Sequence, residues 1–156
     1  MYNIIMDFVM GRIDGIEKPE IVTWENDTFA NYPDENIILV PAENLNLNSL
    51  KNDFYINFLV PFIYKQYNFK LPEDNVIVFC MLHEIGHILT MRGMNADILY
   101  NINDKLYNNI NDESSDYELD VLYRLNPFEV MADSWAMSFI LMYPEILEIK
   151  DNIILN

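Results

Sequence analysis

The two histidines of this 156-residue chain lie four residues apart, in the segment His83-Glu84-Ile85-Gly86-His87. On a helix, this spacing places both imidazoles on one face, one turn apart, where they can bind one zinc ion. Glu84 is offset around the helix, so its carboxylate can reach the attacking water without itself binding the metal. The segment therefore predicts a zinc site with Glu84 as the general base.

Two histidines do not complete such a site, because a catalytic zinc ion usually has three protein ligands and one open position. The chain has no third histidine, and Cys80 is its only thiol, so we expect a carboxylate as the third ligand. Glu129 is the best candidate. Asp133 follows it by one helical turn and can accept the free ring N–H of a metal-binding histidine.

Each of these residues also has a simpler interpretation. The spacing of the histidines could be accidental, and Glu129 is the third residue after Asn126, where a capping-box glutamate is common. Asp133 could lie on a solvated helix face. Cys80 lies one turn before His83, close enough to approach a metal or act as a redox-sensitive thiol, but a free cysteine in an apolar helix is usually part of the core.

Two strongly patterned helices are expected to position the ligands. The first opens after Pro72 with acidic residues at its positive end, is apolar over 76–91, and stops at Arg92-Gly93. The second begins at Asn126-Pro127, with Asn as N-cap, and ends before Pro144. Small residues on the second helix would allow it to approach the histidine helix closely.

The rest of the chain has weaker patterns. We predict a short helix that ends at Gly11, two strands at 20–24 and 36–40, and turn-forming residues between the strands that include Asn31 and Pro33. The second strand could be an edge that aligns an extended substrate, or equally an internal strand of the sheet.

Further along the chain, the pattern predicts a helix at 52–67 that Pro61 would kink or interrupt, and a weaker helix at 96–110. A solvated loop is expected at 111–116. Together these elements predict a single α+β domain over 1–156, because a chain of this length has room for one core only.

Composition narrows the classes of function. The net charge of −16 disfavours nucleic-acid binding, and no apolar run approaches the roughly 18 residues that a membrane-spanning helix needs. The amino terminus lacks the basic stretch of a secretory signal, and a single cysteine cannot form an internal disulfide, so we expect a cytoplasmic protein. The oligomeric state is not indicated.

A resemblance to a known family rests on two motifs. The histidine motif, followed by Glu129-x-x-Ala132-Asp133-x-x-Ala136-x-x-Phe139, resembles zincin metallopeptidases of the gluzincin type, and among these the small intracellular ImmA/IrrE-type family. The resemblance covers about residues 72–142. The ImmA/IrrE-type pattern usually has Asn where this chain has Asp133, whereas thermolysin-like gluzincins have Asp there.

The resemblance implies one zinc ion held by His83, His87 and Glu129, with Glu84 as the catalytic base. It also implies a zincin-like domain in which a small sheet packs against the two ligand-bearing helices. The expected substrate is a peptide or protein, such as a repressor-type regulator. For the oxyanion donor, Arg124 and several tyrosines remain open candidates, with Tyr123, Tyr143 and Tyr100 nearest the motifs.

Two other functions fit the same motifs. A regulatory binding protein, for example an antirepressor, could keep a zincin fold and act by docking, although such a protein would not need Glu84. A purely structural metal site would normally be closed by four protein ligands, and the sequence offers three obvious ones.

Overall fold

The structure is a computed structural model that describes residues 1–26, 28–42, 54–94, 98, 101–102, 104–105, 108 and 115–149. These residues form an α+β fold, as predicted, and its sheet has three strands where the sequence predicted two. The five helices are α1 (Tyr2–Met10), α2 (Val60–Tyr67), α3 (Val76–Met91), α4 (Asp116–Arg124) and α5 (Pro127–Met142). The strands are β1 (Glu20–Trp24), β2 (Ala30–Tyr32) and β3 (Ile37–Pro41).

The sheet has the strand order β1-β3-β2. β1 is parallel to β3, with Glu20 opposite Ile37, and β2 is antiparallel to β3. The predicted second strand, β3, is therefore internal. β2 is one of the two edge strands in the described part of the sheet, and it packs against α3. The expectation of a turn at Asn31 was wrong, because Asn31 is the middle residue of β2.

The helix predicted around Pro61 changes type rather than ending. A π-helical segment, Phe54–Leu59, leads directly into α2, and Pro61 lies in the first turn of α2, where proline is commonly tolerated. The proline therefore marks a change in helix winding. Residues 52 and 53 of the prediction lie outside the described residues.

α3 and α5 form the central helix pair and pack against each other along their lengths. Both helices have the predicted limits, including the Asn126 N-cap, whose side chain accepts a hydrogen bond from the Phe128 N–H. Gly86 permits the close approach, because a Cβ atom there would lie 2.9 Å from the Ala132 carbonyl oxygen and 3.0 Å from its Cα. The small residues of the second helix have the effect expected from the sequence.

The segment between the two central helices was predicted less well. Residues 98, 101–102 and 104–105 are helical, while most of the weaker helix expected over 96–110 lies outside the described residues. Residues 111–114 of the expected loop are outside them too. The expectation of a loop at Asp116 was wrong, because Asp116 begins α4, where Ser115 and Glu118 form a capping box.

The core lies between α1, the inner strand β3 and the central pair. Its fully buried side chains include Ile5 and Met6 of α1, Ile38 of β3 and Ile85 of α3. In the part of the chain that the structure describes, no helix is long and apolar enough to cross a membrane.

Candidate metal centre

The centre is built first on α3, where His83 and His87 are one turn apart on the same face. Both side chains are buried, and their Nε2 atoms lie 2.9 Å apart. The apolar residues around them anchor the rest of α3 in the core, so the helix carries its polar pair at a fixed position. The predicted pairing of the two imidazoles is thus present in the structure.

Glu129, in the first turn of α5, faces this pair. Its Oε2 atom is 3.1 Å from His83 Nε2 and its Oε1 atom is 3.2 Å from His87 Nε2. The carboxylate is therefore directed toward the histidines, as the metal-ligand interpretation requires. One ligand atom from each of the three buried residues lies within 4.8 Å of the other two, which is close enough for them to bind a metal ion.

The donor set fits zinc in kind and in spacing. Two imidazole nitrogens and one carboxylate oxygen are usual ligands of catalytic zinc, and ligand atoms about 2.0–2.1 Å from a tetrahedral ion are about 3.3 Å apart. The observed separations of 2.9, 3.1 and 3.2 Å are slightly shorter. Small outward shifts of the side chains would open them to that distance.

Asp133 lies where the sequence predicted it, one turn beyond Glu129. Its Oδ1 atom is 2.8 Å from His83 Nδ1, and the aspartate is 1% exposed. A carboxylate at Nδ1 favours the proton on that nitrogen and leaves Nε2 available as a ligand. On the second imidazole, His87 Nδ1 is 3.0 Å from the Met91 sulfur.

Arg124 has a role that the sequence did not indicate. At the end of α4, its buried guanidinium binds Glu129 Oε2 at 3.2 Å and also pairs with Asp133 Oδ1. One cation thus holds the ligand and the supporting acid together. Both contacts depend on how α4 meets α5, so no local pattern in the sequence could reveal them.

The electrostatics of the centre follow from these contacts. Burial by itself would lower the pKa of His83, but the hydrogen bonds to Asp133 and Glu129 outweigh it and raise the pKa to about 9. Burial would raise the pKa of Glu129, whereas its contacts with the two histidines hold that pKa well below the usual range. Glu129 therefore stays ionised, as a metal ligand must.

Glu84 is not one of the three clustered ligand residues, and its carboxylate contacts the sheet edge. Its carboxylate is buried, and the Asn31 side-chain amide of β2 donates a hydrogen bond to its Oε2 at 2.5 Å. Asn31 was not among the predicted site residues, because the pattern around it predicted a turn there. The amide fixes the orientation of Glu84 beside the ligands.

Two hollows meet at the centre. One is a cavity of about 200 Å³, lined by aromatic side chains and by the polar groups of His83, Glu84, Arg124 and Glu129. A second space of about 240 Å³, here called the strand cleft, runs along Asn31 of β2 and also borders Glu84 and Glu129. A bound chain could therefore pass the ligands on either side.

Among the candidate oxyanion donors, Tyr123 is best placed. It lines both hollows, and its hydroxyl hydrogen-bonds to Glu129. Burial and the negative charge of Glu129 raise the pKa of Tyr123, so the phenol keeps its proton. Tyr143 instead lines a separate cavity with Arg12, and Tyr100 is outside the described residues.

Cys80 is buried at the cavity of about 200 Å³ and does not belong to the group of ligand residues. Burial, with a smaller contribution from the Glu84 charge, raises the pKa of its thiol. The thiol is therefore protonated near neutral pH, which favours a packing role over metal binding.

Scans of protein-family models, curated proteins and solved structures found no match to this chain.

Proposed function

We propose that this protein is a zinc-dependent metallopeptidase with a zincin-like fold, similar to the ImmA/IrrE-type family. The observation that carries the proposal is the buried cluster of His83, His87 and Glu129 with the oriented carboxylate of Glu84 beside it. A purely structural site would have no use for the open side that the two hollows provide.

Zinc bound to this cluster would supply Lewis-acid polarisation of the scissile carbonyl and lower the pKa of the attacking water. Glu84 accepts the proton of that water as its oxygen adds to the carbonyl carbon. The same carboxyl group then returns the proton to the leaving nitrogen as the C–N bond breaks. The Asn31 amide holds Glu84 in place through both transfers.

The substrate is proposed to bind as an extended chain. β2 is an edge strand in the described part of the sheet, and it lies beside Glu84. Addition of a peptide to such an edge would align its backbone past the ligands by main-chain hydrogen bonds. Tyr123, at the junction of the hollows, is proposed to donate its phenolic proton in a hydrogen bond to the developing oxyanion.

The test compares Glu84→Gln with the wild type for zinc content and for cleavage of a proteome-derived peptide library. We expect one zinc per chain in both proteins and loss of cleavage in the variant, by about a hundredfold or more. Glu73→Gln is the matched control, because Glu73 is an exposed acid just before α3. It should cleave at the wild-type rate.

Two results would contradict the proposal. A wild-type protein that takes up no zinc under metal-replete conditions has no metal centre of this kind. A Glu84→Gln protein that keeps its zinc and its full biological effect would instead indicate a protein that acts by docking.

A further inference from the structure

We propose that two copies of this chain pair through their α5 helices, in an antiparallel arrangement with two-fold symmetry. The proposal goes beyond the proposed function, because it depends neither on zinc nor on hydrolysis. The contact surface, here called the α5 face, consists of the six exposed residues of α5 after Pro127: Val130, Met131, Ser134, Ser138, Leu141 and Met142.

The α5 face carries no charge. The structure describes α5 along its whole length, and none of the exposed side chains in it is ionisable. The described helices α1, α2 and α4 each expose a charged residue, such as Asp7, Lys65 and Glu118. In a chain with a net charge of −16, two copies can approach with least repulsion where both surfaces are uncharged.

Both ends of the α5 face are apolar. Leu141 and Met142 are 67% and 65% exposed, and Val130 and Met131 are each 38% exposed. Large apolar side chains that share one helix surface favour association, because contact with a second surface removes them from water. The two ends therefore supply the driving force for pairing.

The middle of the α5 face is small and already hydrogen-bonded. The Ser138 hydroxyl donates to the Ser134 carbonyl oxygen at 2.7 Å, and the Ser134 hydroxyl lies 3.4 Å from the Tyr67 hydroxyl. Because both serine hydroxyls have partners within the chain, a second copy can cover them without leaving them unsatisfied. Their small size also permits two helices to cross closely at this point.

The residue types of the α5 face are symmetric about Ala136. In an antiparallel pair whose two-fold axis passes beside Ala136, Ser134 meets Ser138 of the other copy, and Met131 meets Leu141. Any stripe along a helix has symmetric spacing, but here the types are symmetric as well, with small residues in the centre and large apolar ones at both ends. A two-fold contact needs a surface that complements itself in this way.

The surroundings of the face favour the antiparallel direction. Ser138 and Met142 also line a mostly apolar hollow of about 620 Å³, which the beginning of α5 from the other copy would cover. In a parallel pair, the exposed Glu145 just beyond α5 would instead approach the same glutamate of the other copy. This hollow shares no lining residue with the cavity of about 200 Å³ or the strand cleft, so pairing leaves the metal centre accessible.

The experiment measures the mass of the full chain by sedimentation equilibrium at concentrations up to about 200 μM. We expect a monomer–dimer equilibrium with a Kd of about 1–100 μM, because one helix face gives an interface at the small end of the usual range. Leu141→Glu should raise the Kd by about tenfold or more, since each copy then brings a carboxylate into an apolar contact. Ile4→Glu is the matched control. It adds the same charge at an apolar residue of α1 that is 60% exposed, and it should keep the wild-type Kd.

The antiparallel register is tested by combining Met131→Lys and Leu141→Glu in one chain. The two positions are about 15 Å apart along the helix, so the introduced charges cannot pair within one copy. Between antiparallel copies they meet twice, and the double variant should dimerise at least about fivefold more tightly than either single variant. Far-UV circular dichroism checks that each variant is folded.

Salt gives a test that needs no variant. Raising the salt concentration from about 50 to about 500 mM should tighten the wild-type dimer by about threefold or more, because screening weakens the repulsion between two acidic chains. A dimer held by ion pairs would weaken instead, which would overturn the proposal.

Three further results would also overturn it. These are a wild-type chain that stays monomeric at the highest concentration, a dimer that Leu141→Glu leaves intact, and a double variant that pairs no more tightly than the single ones. None of them bears on the zinc centre, and a failure to bind zinc would leave the dimer standing.

Discussion

The residues of the candidate centre place an unusual amount of charge in a buried space. Glu129 and Asp133 are both buried acids, and the only described guanidinium that contacts them is the equally buried Arg124. A buried charge is tolerated when it is paired and becomes very unfavourable when its partner is removed. Arg124 is therefore expected to stabilise the centre even before a metal binds.

Replacing Arg124 by methionine keeps much of the side-chain volume and removes the charge. We expect the metal-free protein to lose about 3–5 kcal/mol of unfolding free energy, because Glu129 and Asp133 would then lose one of the two cations they share and keep only protonated His83. Arg92→Met is the control, since among the described residues Arg92 has one ion pair, an exposed 3.6 Å contact with Glu17, and it should change stability by less than about 1 kcal/mol. Denaturant titration of both variants in the presence of chelator measures these losses of unfolding free energy. Equal losses in the two variants would contradict the role given to Arg124.

The protonation of His83 gives a second prediction at this scale. Its pKa rises from 6.5 to about 9 on folding without metal, so the folded state binds the proton more tightly than the unfolded chain. The resulting stabilisation, roughly 3 kcal/mol, is fully present below pH 6.5 and is lost as the pH rises through about 9. Chelator-treated protein should therefore lose stability between these pH values.

The matched comparison for this pH dependence is His83→Gln, whose side chain does not titrate. The difference in unfolding free energy between the wild type and this variant should shrink as the pH rises from 6.5 to 9. A difference that stays constant over that range would show that His83 does not carry the proton in the folded protein.

At the scale of elements, the sequence predicted the parts of the centre that a single helix determines. The long apolar patterns identified α3 and α5, and a spacing of four residues gave the pairs His83/His87 and Glu129/Asp133. Contacts between elements were harder to predict from the sequence. β2 has only three residues, too few for an alternating pattern, and the approach of Arg124 depends on the packing of α4 on α5.

The close approach of α3 and α5 predicts a strong effect of one methyl group. In Gly86→Ala, the added Cβ would meet the Ala132 backbone at 2.9 Å and push the helices apart, so we expect a loss of about 1–3 kcal/mol and weaker zinc binding. Gly11→Ala is the control at the exposed C-terminal end of α1, where the contact is milder, because the nearest atom, the Asp7 carbonyl oxygen, is 3.3 Å away. Thermal unfolding and zinc titration of both variants test this, and equal behaviour would show that the two helices can separate freely.

The molecule as a whole carries 25 acidic and 9 basic side chains, giving a net charge of −16. Self-repulsion at this charge destabilises the compact state, and cations of any kind relieve it by screening. A stabilising effect of a divalent ion is therefore weak evidence for a specific site in this protein. A specific site would show itself as a difference between the effects of two ions of equal charge.

Zinc and magnesium at the same concentration and ionic strength supply that comparison. Both screen the acidic surface, but magnesium prefers oxygen ligands and octahedral geometry, whereas the two imidazoles and Glu129 suit zinc. Free zinc at 1,000 times its dissociation constant should raise the unfolding free energy by about 4 kcal/mol, and magnesium should add only the screening effect. In His87→Gln the two ions should act alike, because one imidazole ligand is lost while the surface charge is kept. Equal stabilisation of the wild-type protein by zinc and magnesium would assign the effect to the acidic surface instead of the centre.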